Sequence, residues 1–139
     1  MTQQIRELMT SNPVTMPGTA SVQEAARAMR DHDIGDVIVI EHEQVCGIVT
    51  DRDIAVRIVA ESQDPAATTL ADICSHSLLT VTPTDSVEEA IRLMRLHAVR
   101  RLPVVEAGKA VGIVSLGDLA VERDPNSVLG KISDAPPDA

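Results

Sequence analysis

Two stretches of this chain set the same reactive groups at the same spacing. Residues 47–53 read GIVTDRD and residues 112–118 read GIVSLGD, so that Thr50 precedes Asp53, and Ser115 precedes Asp118, by three positions. A hydroxyl and a carboxylate so spaced can do two things. Between a strand and a helix, [ST]-x-x-[DE] satisfies backbone N–H groups that the first helical turn leaves unpaired. At that same place the unpaired N–H groups attract anions, and an ionised carboxylate can accept hydrogen bonds from two neighbouring sugar hydroxyls. Capping alone does not account for the glycine ahead of Ile-Val in both copies. Nor does it explain Asp as the acid in both, where Glu is the commoner capping partner.

The elements that must position these corners also occur twice. An offset of 65 aligns the halves without a gap from about residue 5 to residue 57: SVQEAARAMRDH (21–32) falls on SVEEAIRLMRLH (86–97), VIVIE (37–41) on LPVVE (102–106), and GIVTDRDIAV on GIVSLGDLAV. Duplication is the economical explanation. Ser21 with Glu24, and Ser86 with Glu89, have capping-box spacing and predict helix starts. Val22, Ala25, Ala26 and Met29, and then Val87, Ala90, Ile91 and Met94, form one apolar stripe on each helix. The β-branched runs 37–40 and 45–49 predict paired strands, as do 102–105 and 110–114 around Ala107-Gly108-Lys109. A second helix is expected after Thr50, through Ile54, Ile58 and Val59, and its counterpart after Ser115 should end at Pro125. Each unit of about 55 residues is small to stand alone, so the copies are expected to pack sheet against sheet around a shared core.

Composition narrows the function. A net charge of −9, with acidic excess in both halves, disfavours a polyanionic partner. The absence of Phe, Tyr and Trp removes the stacking platforms of single-strand binders. Nucleic acid is therefore not an expected partner. No apolar run reaches the roughly 18 residues of a membrane span, and MTQQIRELMTSNP lacks the basic and apolar regions of a signal peptide. A cytoplasmic protein is expected. Cys46, in VCGIV, is expected to be a small buried hydrophobe. Cys74-x-His76 could offer two metal ligands, with His42 or His32 completing a site; the bland alternative, thiols in a reducing compartment, is preferred and no metal is expected.

The doubled G-I-V-T/S-x-x-D, each copy preceded by a strand of the type Thr15-Met16-Pro17 or Thr80-Val81-Thr82-Pro83 and by a capped helix, resembles the cystathionine-β-synthase (CBS) domain. The pair resembles a small bacterial stand-alone tandem CBS protein of the stress-response kind, over about Ile5 to Asp124. The resemblance implies an α/β (α+β) fold, with repeat 1 over 1–62, a linker at 63–69 within AESQDPAATT, repeat 2 over 70–125 and a tail at 126–139. It implies a regulatory module, commonly a homodimer, that takes AMP, ADP, ATP or S-adenosylmethionine into clefts between the repeats and passes the signal to a protein target not legible here. Carried over residue by residue, Asp53 and Asp118 would hold ribose hydroxyls and Thr50 and Ser115 would lie near phosphate. Thr15 and Thr80 would lie near the base, with Ile48, Val49, Ile113 and Val114 as an apolar wall. Arg100-Arg101 match a phosphate-reaching position, where the first copy has Gly35-Asp36; Arg52 stands inside the first motif, where the second has Gly117. The two clefts are thus expected to be unequal.

Two other functional classes compete with this reading. Ser115 and Gly117 suggest a nucleophile elbow, but Ile113 stands where G-x-S-x-G needs its first glycine, and no Walker A, G-x-G-x-x-G or H-E-x-x-H motif occurs. Catalysis is not expected. A dimeric interaction scaffold without ligand response is the alternative.

Overall fold

The structure is a computed structural model that describes residues 3–74 and 79–123. A short 3-10 turn (Ile5–Glu7) leads into β1 (Thr10–Ser11) and β2 (Thr15–Pro17). Then come α1 (Val22–His32), β3 (Asp36–Glu41), β4 (Gln44–Thr50) and α2 (Asp51–Ile54), which continues as a π-helical turn over Ala55–Val59. After α3 (Leu70–Ile73) the pattern recurs as α4 (Val87–His97), β5 (Arg101–Glu106), β6 (Lys109–Ser115) and α5 (Leu116–Arg123). The expected stop at Pro125 and the tail lie outside the described residues.

The chain divides into two compact units: a first unit, Pro13–Leu78, and a second, Met1–Asn12 with Leu79–Ala139. Each holds a three-stranded sheet, ordered β2-β3-β4 in the first and β1-β6-β5 in the second. In the first, β2 runs parallel to β3, and β3 pairs antiparallel with β4. The duplication extends to the register. Asp36 faces Thr50 as Arg101 faces Ser115, and the bulge between Val39 and Ile40 recurs between Val104 and Val105. Both hairpins turn through two residues of positive φ, His42 and Glu43 in one and Ala107 and Gly108 in the other, as the right-handed strand twist prefers.

The repeat boundaries expected from sequence and the compact units are cut differently, because the leading segment of each repeat packs with the other repeat's body. The second core holds Ile5 with Val81, Val87, Ala90, Met94, Leu102, Val104, Val114 and Leu119. In the first core Leu70, Ile73 and Cys74 join Val22, Ala25, Met29, Val37, Val39, Val49 and Ile58. The exchange is symmetrical bond for bond: Leu70 N–H donates to Ala20 C=O as Ile5 N–H does to Asp85 C=O, both at 2.9 Å. Val22 N–H donates to Thr68 C=O as Val87 N–H does to Gln3 C=O. Residues 63–69 are accordingly no loose connector, since Pro65 and Thr68 cap the N-terminus of α1 through their carbonyls.

Both long helices start where the capping signature placed them, with Ser21 Oγ accepting from Glu24 N–H and Ser86 Oγ from Glu89 N–H, each at 3.1 Å. Only the first box is reciprocal. Glu24 returns a bond to Ser21 N–H, whereas Glu89 pairs with the Arg92 guanidinium on the next turn. The stripes hold at Val22, Ala25 and Met29 and at Val87, Ala90 and Met94, but Ala26 is exposed and Ile91 only half-buried. Val59 is 72% exposed rather than packed, while Ile58 is buried.

Candidate functional site

β4 ends at Thr50 and β6 at Ser115, and each hydroxyl residue is the N-cap of the helix that follows. Thr50 Oγ1 accepts from Asp53 N–H at 3.2 Å, and Asp53 Oδ2 accepts from Thr50 N–H at 2.9 Å. The second corner repeats this at 3.1 Å for Ser115 Oγ and 3.0 Å for Asp118 Oδ2. Both pairs are therefore capping boxes, and Asp is short enough to close them at this sharp strand-to-helix corner. The next helical N–H is held by backbone: Asp51 N–H donates to Gly35 C=O and Leu116 N–H to Arg100 C=O. Each carboxylate uses Oδ2 for the cap. With roughly four lone-pair sites on an ionised carboxylate, the group keeps acceptor capacity for a ligand.

Side chains alternate across a strand, and this sorts the expected wall residues. Thr15 pairs with Ile38 and Ile38 with Ile48, so these three form a row on the sheet face away from α1. Ile113 pairs with Pro103 and Thr10 on the corresponding face of the second sheet. Val49 and Val114 point the other way, fully buried in the helix-side cores. They cannot share a wall with Ile48 and Ile113. The sequence pattern GIV offered both neighbours, and the period of two admits one. Thr80 is exposed beside the Val81–Val104 bridge, the register equivalent of Thr15 beside Met16–Val39.

The glycine of each motif lies within its strand, Gly47 in β4 and Gly112 in β6. A Cβ on Gly112 would come within 3.0 Å of Thr10 C=O and closer still to the Met9 sulfur, so only glycine lets β1 cross β6 there.

Around the capping pairs the corners differ in charge. Opposite Thr50 stands Asp36, with Asp51 and Asp53 on the helix and the exposed Arg52 as the cation of the motif. Opposite Ser115 stands Arg101, next to the exposed Arg100. Glu106 sits at the other end of β5 from Arg101.

A cavity of about 560 Å³ in the second unit is lined by Arg6, Met9, Thr82, Thr84, Glu106 and Val111 among others. It opens at the hairpin end of β5 and β6, away from Ser115, and contains none of the residues expected from sequence. Arg6 falls on Ala71 and carried no repeated signal, while Glu106 repeats Glu41 but stood outside the motif that drew attention. Among the described residues no group of three or more His, Cys, Asp or Glu could hold a metal ion, and His76 lies outside them. No helix among them is long and apolar enough to cross a membrane.

Two duplicated strand-to-helix corners on small three-stranded sheets define a tandem-repeat α/β module. The chain belongs to the CBS domain family, which matches residues 5–60 and 70–123. It is 39% identical over 126 residues to the CBS domain-containing protein YhcV of Bacillus subtilis, spanning 91% of this chain and 89% of that one. It is 32% identical to Hypoxic response protein 1 of Mycobacterium tuberculosis, over 83% of this chain and 81% of the relative. A crystal structure of Hypoxic Response Protein I with two coordinated zinc ions has a TM-score of 0.77, at 30% identity over 85% of this chain and 97% of that one. The CBS domain pair of protein MJ0100, crystallised with 5′-methylthioadenosine and S-adenosyl-L-methionine, shares the fold at a TM-score of 0.78 and 24% identity, covering 86% of this chain and 94% of that one.

Proposed function

We propose that the protein is a non-catalytic cytoplasmic module that senses an adenosine-containing ligand, AMP, ADP, ATP or S-adenosylmethionine, at its two T/S-x-x-D corners. The observation that carries this is the geometry of the carboxylates. Asp53 and Asp118 each cap through one oxygen and retain acceptor capacity for the 2′ and 3′ hydroxyls of a ribose. Thr15 with Ile48 in the first unit, and Thr80 with Ile113 in the second, supply neighbouring polar and aliphatic contacts. The adenosyl ligands crystallised with the MJ0100 pair agree in class with this reading.

The corners are unequal, and the second is the one for a phosphate. Arg100 and Arg101 offer charge-assisted donors where the first corner has Gly35 and Asp36. Ligand binding shifts the protein only as far as it favours one arrangement over another, and the signal then passes to a protein partner. Isothermal calorimetry with AMP, adenosine and S-adenosylmethionine tests the proposal. Tighter binding of AMP than adenosine is expected, lost in Arg101→Ala, with Asp118→Asn weakening that site at least about tenfold, the equivalent of 1.4 kcal/mol. Two identical sites, or adenosine binding better than AMP, would contradict it.

A homodimeric interaction scaffold is the second reading, favoured by the large apolar side chains left exposed: Val56 and Val59 in the first unit, Leu96 and Leu116 in the second. Sedimentation without ligand, set beside a thermal-shift panel of the same nucleotides, separates the two. A ligand bound only by the folded state must raise its apparent stability.

A further inference from the structure

The cavity at the hairpin end of β5 and β6 sits on a backbone that the first unit repeats, but the side chains around it are not repeated. At the offset of 65, Arg6 corresponds to Ala71, Pro83 to Gly18 and Glu106 to Glu41. The bond that joins the leading segment to the loop before the long helix is present in both units: Arg6 N–H donates to Pro83 C=O at 3.0 Å, as Ala71 N–H does to Gly18 C=O at 2.9 Å. In the first unit the acid closes over this place. A Cβ on Gly18 would collide with the Glu41 carboxylate, so Glu41 lies across the glycine. Pro83 carries the ring that Gly18 lacks, and Glu106 cannot lie down in the same way. It is exposed where Glu41 is half-buried, and with Arg6 it lines a cavity of about 560 Å³.

Of the residues lining the cavity only Arg6 and Glu106 carry charge, and neither side chain makes a hydrogen bond or an ion pair among the described residues. Thr82 and Thr84 add two hydroxyls, 3.4 Å apart. The loop that bears them is held from both sides: Thr82 N–H donates to Asp85 Oδ2 at 2.8 Å, and Ile5 N–H donates to Asp85 C=O at 2.9 Å. Met9, Val105 and Val111 supply an aliphatic wall, and Met9 and Val111 pack on the second core. An apolar wall with a few polar groups, in a space of this size, has the make-up of a small-molecule site.

We propose that this cavity binds a free α-amino acid with an aliphatic side chain. The Arg6 guanidinium is a planar fork that matches a carboxylate through two parallel N–H···O bonds. Glu106 is an acceptor for the ammonium, the threonine hydroxyls can donate or accept at either end, and Met9, Val105 and Val111 receive the side chain. A dianion such as phosphate would set its charge against Glu106, and a plain amine would leave Arg6 unmatched. A zwitterion answers both charges and adds no net charge to a chain that already carries −9. Direct pairing of Arg6 with Glu106 is a weak competitor, because an exposed ion pair contributes little. The site is separate from the Ser115 corner, which lies at the far end of the same two strands.

Calorimetry and thermal melts of the native full chain with L-leucine test this, beside isocaproate, which lacks the amine, and isoamylamine, which lacks the carboxylate. Saturable leucine binding and a higher melting temperature are expected. Each analogue should bind at least about tenfold more weakly, one decade of affinity. Arg6→Gln should bring leucine down to the level of isoamylamine, and Glu106→Gln to that of isocaproate. Both side chains are exposed, so neither change should disturb the fold, and the analogue series on the native chain stands without the variants. No saturable binding of leucine, isoleucine, valine or methionine at millimolar concentration would overturn the proposal. So would either analogue matching leucine on the native chain, or a leucine affinity unchanged in both variants.

Discussion

The first and second corners share a backbone and differ in chemistry. Thr50 with Asp53 and Ser115 with Asp118 close the same reciprocal box with bond lengths matching within about 0.1 Å, well inside the ordinary spread of such bonds. Their surroundings have diverged. Asp36 is replaced by Arg101 and Arg52 by Gly117, and Cys46 and Cys74 stand where the second copy of the pattern has Val111 and Met9. A box that stays constant while its neighbours change is what the start of a helix demands. The charges beside it do no capping work, and on the proposed function they set what each corner binds. On the proposed function, capping and recognition would lie on different atoms of one motif, so an occupied box leaves room for a ligand.

The comparison can be broken most directly at the exchanged leading segments. Ile5→Ala and Leu70→Ala each remove a fully buried side chain from one core, and each should cost about 2–5 kcal/mol in chemical denaturation. Nearly equal losses would support the symmetry. A small loss for one alone would mean that its core does not depend on the borrowed segment.

The next effect separates the units by pH. The folded pKa of Cys74 is raised to about 11 while an unfolded cysteine titrates near ~8.5. The unfolded chain therefore loses its proton first, and stability is fully present below that lower value and falls as pH rises toward about 11. The loss should be on the order of 3 kcal/mol, and thermal melts of Cys74→Val should lack it.

Sharper discrimination comes from the long helices. Ser21→Ala and Ser86→Ala should each cost about 1 kcal/mol. Glu24→Ala should cost more than Glu89→Ala, because only Glu24 returns a bond to its cap, while the exposed Glu89–Arg92 pair contributes little. Urea midpoints of the four variants check this. The smallest effect lies at the other helix ends, where Asp33 and Ala98 both have left-handed φ, 56° and 54°. Ala98→Gly should stabilise by about 0.5–1 kcal/mol, and Asp33→Gly by less, since Asp tolerates that region better.

Much of this was legible in the chain itself, and the reason is locality. Ser21 and Ser86 announced their helices because a capping box spans three residues, and the hairpins announced themselves through short β-branched runs around turns. The doubled T/S-x-x-D marked both corners because strand end, cap and helix start are contiguous. Where sequence reasoning failed, the deciding partner was elsewhere. Val49 and Ile48 look alike in GIVT, and only the sheet's pairing assigns one to the core and the other to the opposite face. Glu89 has the spacing of Glu24, yet Arg92 takes its carboxylate.

By itself, then, the sequence determined the duplication, the elements and the two capped corners, all of which follow from neighbours within a few residues. Tertiary structure alone decided that Ile5 completes the second core and Leu70 the first, and that Cys46 packs on the core that holds Cys74. Those contacts join segments distant along the chain, and their stabilisation comes from burying apolar surface that no local pattern assigns to a partner.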